Sequence, residues 1–384
     1  MMCNLWSTGD SSSSNPSVHD KNDEQSDNGE EFAEEQSVED ENDPNAAWEK
    51  IEEGQIFIDP PQSSNAKSRD CIRIVCMSDT HGKHRDVQLP PGDILLHGGD
   101  FSRSGEINEY SDLSSYFRDS GFEQVICIAG NHDMTLHPSY YKDNWDRFHP
   151  EPFDCANAHA ALQHCIYLED SSHTTKHGIE VYGSPWSPKY FDWAFNLPRG
   201  SPIRAVWDRI PDSTDLLMTH GPPLGRGDMT KENGRAGCND LTVVVQDRVK
   251  PRIHFFGHIH EGAGVSFDNH TLYINGSNLN ILYQAVNHPI VVDLPLDKSK
   301  PAMVVPPCCT IASDDLLGWM RQEQYHLVAR LMKDSDPVEL PSGNNLVTGT
   351  AYEDLCHKLM IRDKDAAHEL RMALSQLYSE SFPK

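Results

Sequence analysis

Five short polar clusters hold residues able to bind metal ions: Asp79-Thr-His81, Gly98-Gly-Asp100, Gly130-Asn-His-Asp133, His220-Gly-Pro-Pro223 and Gly257-His-Ile-His260. Their donors are carboxylate and amide oxygens and imidazole nitrogens, with no thiolate. That set suits Mn²⁺, Fe, Zn²⁺ or Mg²⁺ and argues against a cysteine-built structural zinc site. Asp79, His81, Asp100, Asn131, His220, His258 and His260 make seven ligands, too many for one ion. Two ions sharing a carboxylate fit the count. Each cluster alone is commonplace, since Asp-x-His arises by chance and Gly-Asn-His-Asp is also a good turn. Their weight comes from recurring in one kind of place.

That place is the end of a strand. Ile72 to Met77, Asp93 to His97, Gln124 to Ala129, Asp215 to Thr219 and Arg252 to Phe256 are short runs rich in Val, Ile, Leu or Phe, as expected for strands buried on both faces. One polar cluster follows each. Loops at the carboxyl ends of strands in an α/β sheet converge on one edge, so ligands far apart in sequence meet there. Helices are predicted over Glu106 to Asp119, Pro202 to Arg209 and Asn239 to Val249, and a β-rich stretch, Val265 to Ile274 then Pro289 to Leu294, closes the domain. Strands alternating with helices predict a layered α/β fold.

The chain has 384 residues and a formal charge of −27, and residues 1 to 60 alone hold 17 Asp and Glu against two Lys. Residues 1 to 69 read as an acidic, largely disordered tail and linker, too poor in apolar side chains to offset the entropy of ordering. Within them Trp48, Ile51, Ile56, Phe57 and Ile58 form a patch expected to dock on the domain that follows. Residues 70 to 298 read as the catalytic domain. Residues 299 to 384 read as a helical extension, with apolar stripes at Leu317, Met320, Leu327, Val328 and Leu331, and at Leu355, Leu359, Leu370, Leu374 and Leu377. An acidic surface repels nucleic-acid backbones and anionic membranes, which excludes DNA and bilayers as partners and leaves a small phosphate ester held by local metal charge. Any protein partner is expected on the acidic tail or the C-terminal helices. Ten scattered cysteines, and a start from Met1 to Asp10 without a secretory pattern, predict a cytoplasmic protein.

The five clusters, in this order, resemble those of the calcineurin-like metallophosphoesterase superfamily. Ser78-Asp-Thr-His81, Gly92-Asp-Ile-Leu-Leu-His97, Tyr182-Gly-Ser-Pro-Trp186, Phe195-Asn-Leu-Pro-Arg-Gly200 and Leu217-Met-Thr-His-Gly-Pro-Pro-Leu-Gly225 narrow the resemblance to its metallophosphoesterase-domain-containing branch, over about Cys71 to Leu296. The resemblance implies a four-layer αββα sandwich of two mixed sheets flanked by helices. It implies two divalent ions, Mn²⁺ foremost, one held by Asp79, His81 and His260, the other by Asn131, His220 and His258, with Asp100 between them. Members of this branch can carry glycine at the position of His258, and its retention here implies a competent enzyme. With two metals so held the attacking group is expected to be a metal-bound hydroxide, while His132, beside Asn131, is placed to protonate the leaving group and Asp133 to fix the His132 tautomer and keep it protonated.

Phosphoprotein phosphatases follow the bridging Asp with Gly-Asp-x-x-Asp-Arg, whereas Asp100 leads into Phe-Ser-Arg-Ser. The missing pair favours phosphodiesters over phosphoproteins, and the branch implies nucleotides, cyclic ones included. Trp186, Tyr190, Phe191 and Trp193 form an aromatic loop that could stack a base. The alternatives are a weakly active nucleotide-binding scaffold and a phosphomonoesterase or phosphoprotein phosphatase.

Overall fold

The computed structural model describes residues 43–64, 66–231 and 234–305. Side chains alternate across a strand, so a strand buried along its whole length must feed two different cores. Cys71–Met77 (β1) shows this: every residue is buried, with Ile72, Ile74 and Cys76 in one core and Val75 and Met77 in another. The same division holds in Ile94–His97 (β2), where Ile94 and Leu96 face the first core and Leu95 the second.

The first sheet has the order β14-β13-β1-β2-β3-β4, with β3 at Gln124–Cys127, β4 at Ile166–Tyr167, β13 at Ile290–Pro295 and β14 at Met303–Val304. Strands β1 to β4 run parallel, and β13 and β14 add antiparallel to one side. The second sheet has the order β11-β12-β10-β9-β6-β5, from Ser171–Thr174 (β5), Glu180–Ser184 (β6), Leu216–Thr219 (β9), Ile253–Phe256 (β10), Gly264–Phe267 (β11) and Leu272–Asn275 (β12). Its four inner strands are parallel and both edges antiparallel. A small pair, Ser187–Pro188 (β7) and Asn196–Leu197 (β8), stands apart.

The two sheets bury a common core that includes Ile72, Ile74, Leu96 and Ile126 from the first and Leu216, Met218, Phe255 and Ile274 from the second. On the outer face of the first sheet, Tyr110, Leu113 and Phe117 of Ile107–Asp119 (α2) and Ala158 of Cys155–Ala161 (α4) pack against Val75, Leu95 and Val125. On the outer face of the second, Ile203, Val206 and Trp207 of Ser201–Trp207 (α5), with Leu241 and Val245, cover Tyr182, Leu217 and Phe256. This is the expected αββα order of layers. Pro138–Asn144 (α3) lies on the loop after β3.

The helix expected over Asn239 to Val249 is a short α-helix, Asn239–Val243 (α6), running into a π-helical turn, Val244–Val249. Pro44–Ile51 (α1) brings Trp48 onto Gly225, where an added Cβ would come within 1.9 Å of the indole. Arg235 stacks over Trp48 at 3.8 Å and Arg226 over Phe57 at 3.9 Å, so this segment lies against the loop that follows His220. The remainder of the acidic tail, up to residue 42, and the stretches where the sequence predicts C-terminal amphipathic helices fall outside the described residues. Among the described residues, no helix is long and apolar enough to cross a membrane.

Candidate metal centre

The carboxyl ends of β1, β2 and β3 in one sheet and of β9 and β10 in the other open onto one edge, and an isolated bridge between Ser78 and Ser277 joins the sheets there. Asp79 and His81 follow β1, Asp100 follows β2, Asn131 follows β3, His220 follows β9, and His258 and His260 follow β10. Asp79, His81 and His260 bring one donor atom each to within 4.8 Å of one another, as do Asp100, His220 and His258. Asp100 Oδ2 lies 3.7 Å from His81 Nε2 and 3.4 Å from His220 Nε2, a position between the two groups. Asn131 Oδ1 is 3.0 Å from His220 Nε2.

The hydrogen bonds show what these groups are prepared for. A backbone carbonyl only accepts, so an imidazole nitrogen facing one must carry the proton. Nδ1 of His81 faces Ser102 O at 3.2 Å, that of His220 faces Gly98 O at 2.9 Å, and that of His260 faces Asn280 O at 3.1 Å. In neutral imidazoles this leaves the Nε2 lone pairs pointing into the cage, the arrangement by which backbone carbonyls orient metal-ligating histidines. Nε2 of His81 and of His260 then face each other at 3.3 Å, two acceptors with no proton between them. A cation resolves that repulsion, so the residues fit a bound divalent ion.

The electrostatics agree. Burial holds the His81 pKa well below the ordinary histidine value, and burial followed by the charge of His220 takes His258 down to about 3. Burial would also lower His220, but the carboxylate of Asp100 outweighs it and raises His220 to about 9. Burial opposes ionisation of Asp100 too, yet His220 and His132 hold it well below the carboxylate range. Without a metal, the proton on His220 supplies the positive charge that Asp100 demands.

Four ligands adopt the left-handed backbone conformation that side chains with a Cβ avoid: Asp79 (φ 55°), His81 (φ 42°), Asp100 (φ 54°) and His258 (φ 69°). Glycines beside them make room. A Cβ on Gly130 would sit 2.3 Å from Asp100 Oδ1, and one on Gly257 would sit 2.0 Å from Asp79 Oδ2. Substituting His258→Gly removes a ligand while relieving about 1 kcal/mol of backbone strain. The variant should therefore melt no lower than wild type, bind less than two equivalents of metal, and turn over about 10- to 100-fold more slowly. Calorimetry, metal titration and kinetics on one preparation check this, and unchanged stoichiometry would remove His258 from the ligand set.

Asp133 requires a correction. Its carboxylate accepts from Gly130 N (2.9 Å), Phe101 N (3.2 Å), Ser102 N (3.1 Å) and Ser102 Oγ (2.8 Å) and does not touch the His132 ring. These bonds stitch the Asp100 loop to the Asn131 loop, and burial, then Asp100, pushes the carboxyl up to about 7. His132 is oriented instead by Arg103 O, 2.8 Å from its Nδ1, and by Trp193, whose ring centroid is 4.3 Å away. Arg103 thus contributes its carbonyl. Trp186 is also removed from the base-stacking set, because it packs edge-on to His137 and Phe195 and donates to Asp170. Two further histidines, His97 and His254, pair with the hydroxyls of Thr80 and Thr219.

Sequence reasoning missed Ser277, whose hydroxyl donates to Asp79 Oδ2 at 2.8 Å, and Asn280, whose carbonyl orients His260. Both lie just beyond the carboxyl end of β12, in the polar run Asn275-Gly-Ser-Asn278 and its continuation. The signal that located the other clusters was present there too.

A cage of oxygen and imidazole donors at the strand ends of an αββα sandwich defines a metal-dependent hydrolase of phosphate esters. The chain belongs to the calcineurin-like phosphoesterase family, which matches residues 72–262. It is 42% identical over 254 residues to human metallophosphoesterase domain-containing protein 1, covering 63% of this chain and 77% of that protein. Two UPF0046 proteins of Caenorhabditis elegans are 36% and 33% identical over 276 and 268 residues, covering 66% and 67% of this chain and 68% and 94% of their own lengths.

Proposed function

We propose that this protein is a two-metal phosphodiesterase acting on nucleotides, cyclic ones included. The observation that carries the reading is the attitude of His132: its Nδ1–H is committed to Arg103 O, so the other ring nitrogen is the one left to act at the cage, beside Asp100 and His81, and in the doubly protonated imidazolium that nitrogen can hand a proton to a leaving group. A general acid so placed matters most for a poor leaving group such as a nucleoside alkoxide.

Asp79, His81 and His260 would hold one ion and Asn131, His220 and His258 the other, with Asp100 shared. Mn²⁺ is the proposed native metal, and bound ions would supply an activated water and neutralise phosphoryl charge. The protein residues hold the cage open and aimed. Asp133 fixes the two loops that carry Asp100 and Asn131, Ser277 and the His258 amide hold Asp79, and Arg103 O holds the acid. Preference for diesters is supported by the loop after Asp100: Phe101 and Ser102 are buried and tied to Asp133, and Arg103 turns its carbonyl to His132. A planar base has a candidate platform in the exposed rings of Tyr190 and Phe191, on the same β7–β8 connection as Trp193.

The test is hydrolysis by metal-stripped protein reloaded with Mn²⁺, comparing bis-p-nitrophenyl phosphate with p-nitrophenyl phosphate and a panel of cyclic nucleotides. Faster diester turnover that depends on metal is the expected result. Preference for the monoester would overturn the diesterase assignment.

A further inference from the structure

We infer that Tyr283 is a substrate-contacting residue whose hydroxyl donates a hydrogen bond to a phosphoryl oxygen beside Asp79, His81 and His260. The inference rests on the phosphoesterase reading above and adds a group to it from outside the five clusters.

Tyr283 has φ 57°, an unfavourable conformation for any residue with a bulky side chain. Such strain persists only where the surroundings over-determine it, and here they do. Asn280 Oδ1 accepts from the backbone of Leu282 (2.9 Å) and Gln284 (3.0 Å), and the Tyr283 amide donates to Asn280 O at 2.8 Å. The Lys83 ammonium donates to Tyr283 O, and a bridge between Leu279 and Ala285 closes the loop. Asn280 O also orients the ligand His260, so one loop fixes a metal ligand and the tyrosine together.

The ring stands edge-on to His81 at 4.8 Å and to His260 at 5.6 Å. It is 42% exposed, and its neighbour Leu282 is 61% exposed. A tyrosine serving only to fill space would be buried in relaxed backbone. This one is strained, open to solvent, and has no protein partner for its hydroxyl among the described residues. Its phenol hydroxyl is an uncharged hydrogen-bond donor. A neutral donor suits a singly charged diester, and its bond strengthens as charge builds on the phosphoryl oxygens in the transition state.

The test uses the full chain loaded with Mn²⁺ and the substitution Tyr283→Phe, which keeps the ring and deletes the donor. The expected result is a loss of about tenfold in kcat/KM for the chromogenic diester and about tenfold weaker binding of inorganic phosphate, as for one net hydrogen bond. Metal stoichiometry and melting temperature should stay at wild-type values. Wild-type kcat/KM and phosphate affinity in the variant would overturn the inference. A variant that loses metal along with rate would assign Tyr283 to the cage's architecture and overturn it equally. Phosphate binding requires no turnover, so it tests Tyr283 even if wild-type protein hydrolyses neither ester, a result that would count against the phosphoesterase reading itself.

Discussion

Asp100→Asn is expected to cut metal-dependent diester hydrolysis by at least about 10³-fold on every substrate. The carboxylate does three things at once. Oδ1 accepts from the His132 amide at 2.8 Å, and Oδ2 reaches towards both His81 and His220. An asparagine can keep the first contact through its carbonyl oxygen, but it would turn an NH₂ group towards the ligand imidazoles and remove the negative charge two cations would share. The metal-free protein should fold, because deleting Asp100 also deletes the cause of His220's raised pKa and lets that ring become neutral. Elemental analysis should find fewer than two ions per chain, alongside the rate loss. Two tightly held ions and a near-normal rate would show that Asp100 does not bridge.

His132→Ala is the second large effect, with a mechanistic signature the first lacks. Losing a positioned general acid costs about 10²- to 10⁴-fold where the leaving group needs a proton, and far less where it leaves readily as an anion. The variant should therefore fail on cyclic nucleotides and alkyl diesters while keeping much of its rate on nitrophenyl esters. The structure also offers a rival role, because a ring nitrogen of His132 lies within 4.8 Å of a ring nitrogen of His81 and a carboxylate oxygen of Asp100 and could join the first metal group. Metal content separates the two. Two ions retained with a leaving-group-dependent loss supports the acid, whereas one ion lost with a uniform fall in rate makes His132 a ligand.

Much of the centre was legible in the chain because metal chemistry restricts both residue type and place. Carboxylate, amide and imidazole donors stand directly after apolar runs, and glycine directly precedes Asp100, Asn131 and His258: Gly99 lies against the Ala129 carbonyl, and Gly130 and Gly257 lie against candidate ligand oxygens, where a Cβ cannot fit. The seven proposed ligands accordingly meet at one edge. The second half of the domain was less legible. Ser171–Thr174 and Glu180–Ser184 were not anticipated as strands, since the first is polar and half exposed at a sheet edge, and the second reads as a turn-rich motif.

The amino-acid sequence by itself determined the candidate donor residues, their placement at strand ends and the family, because these depend on local residue type and short spacing. It did not determine which strands pair. Runs such as Cys71–Met77 are apolar on both faces, so nothing within them says which neighbour or which of two cores each face meets. Only the tertiary structure decided that Asp133 spans some 30 residues to the amides of Phe101 and Ser102 instead of orienting its neighbour His132. It likewise decided that a loop beyond β12 brings Tyr283 over His81, about 200 residues away in the chain. A hydrogen bond or ring contact between distant segments leaves no periodicity or spacing in either one; it exists only once the sheets have packed and set both segments at the same edge.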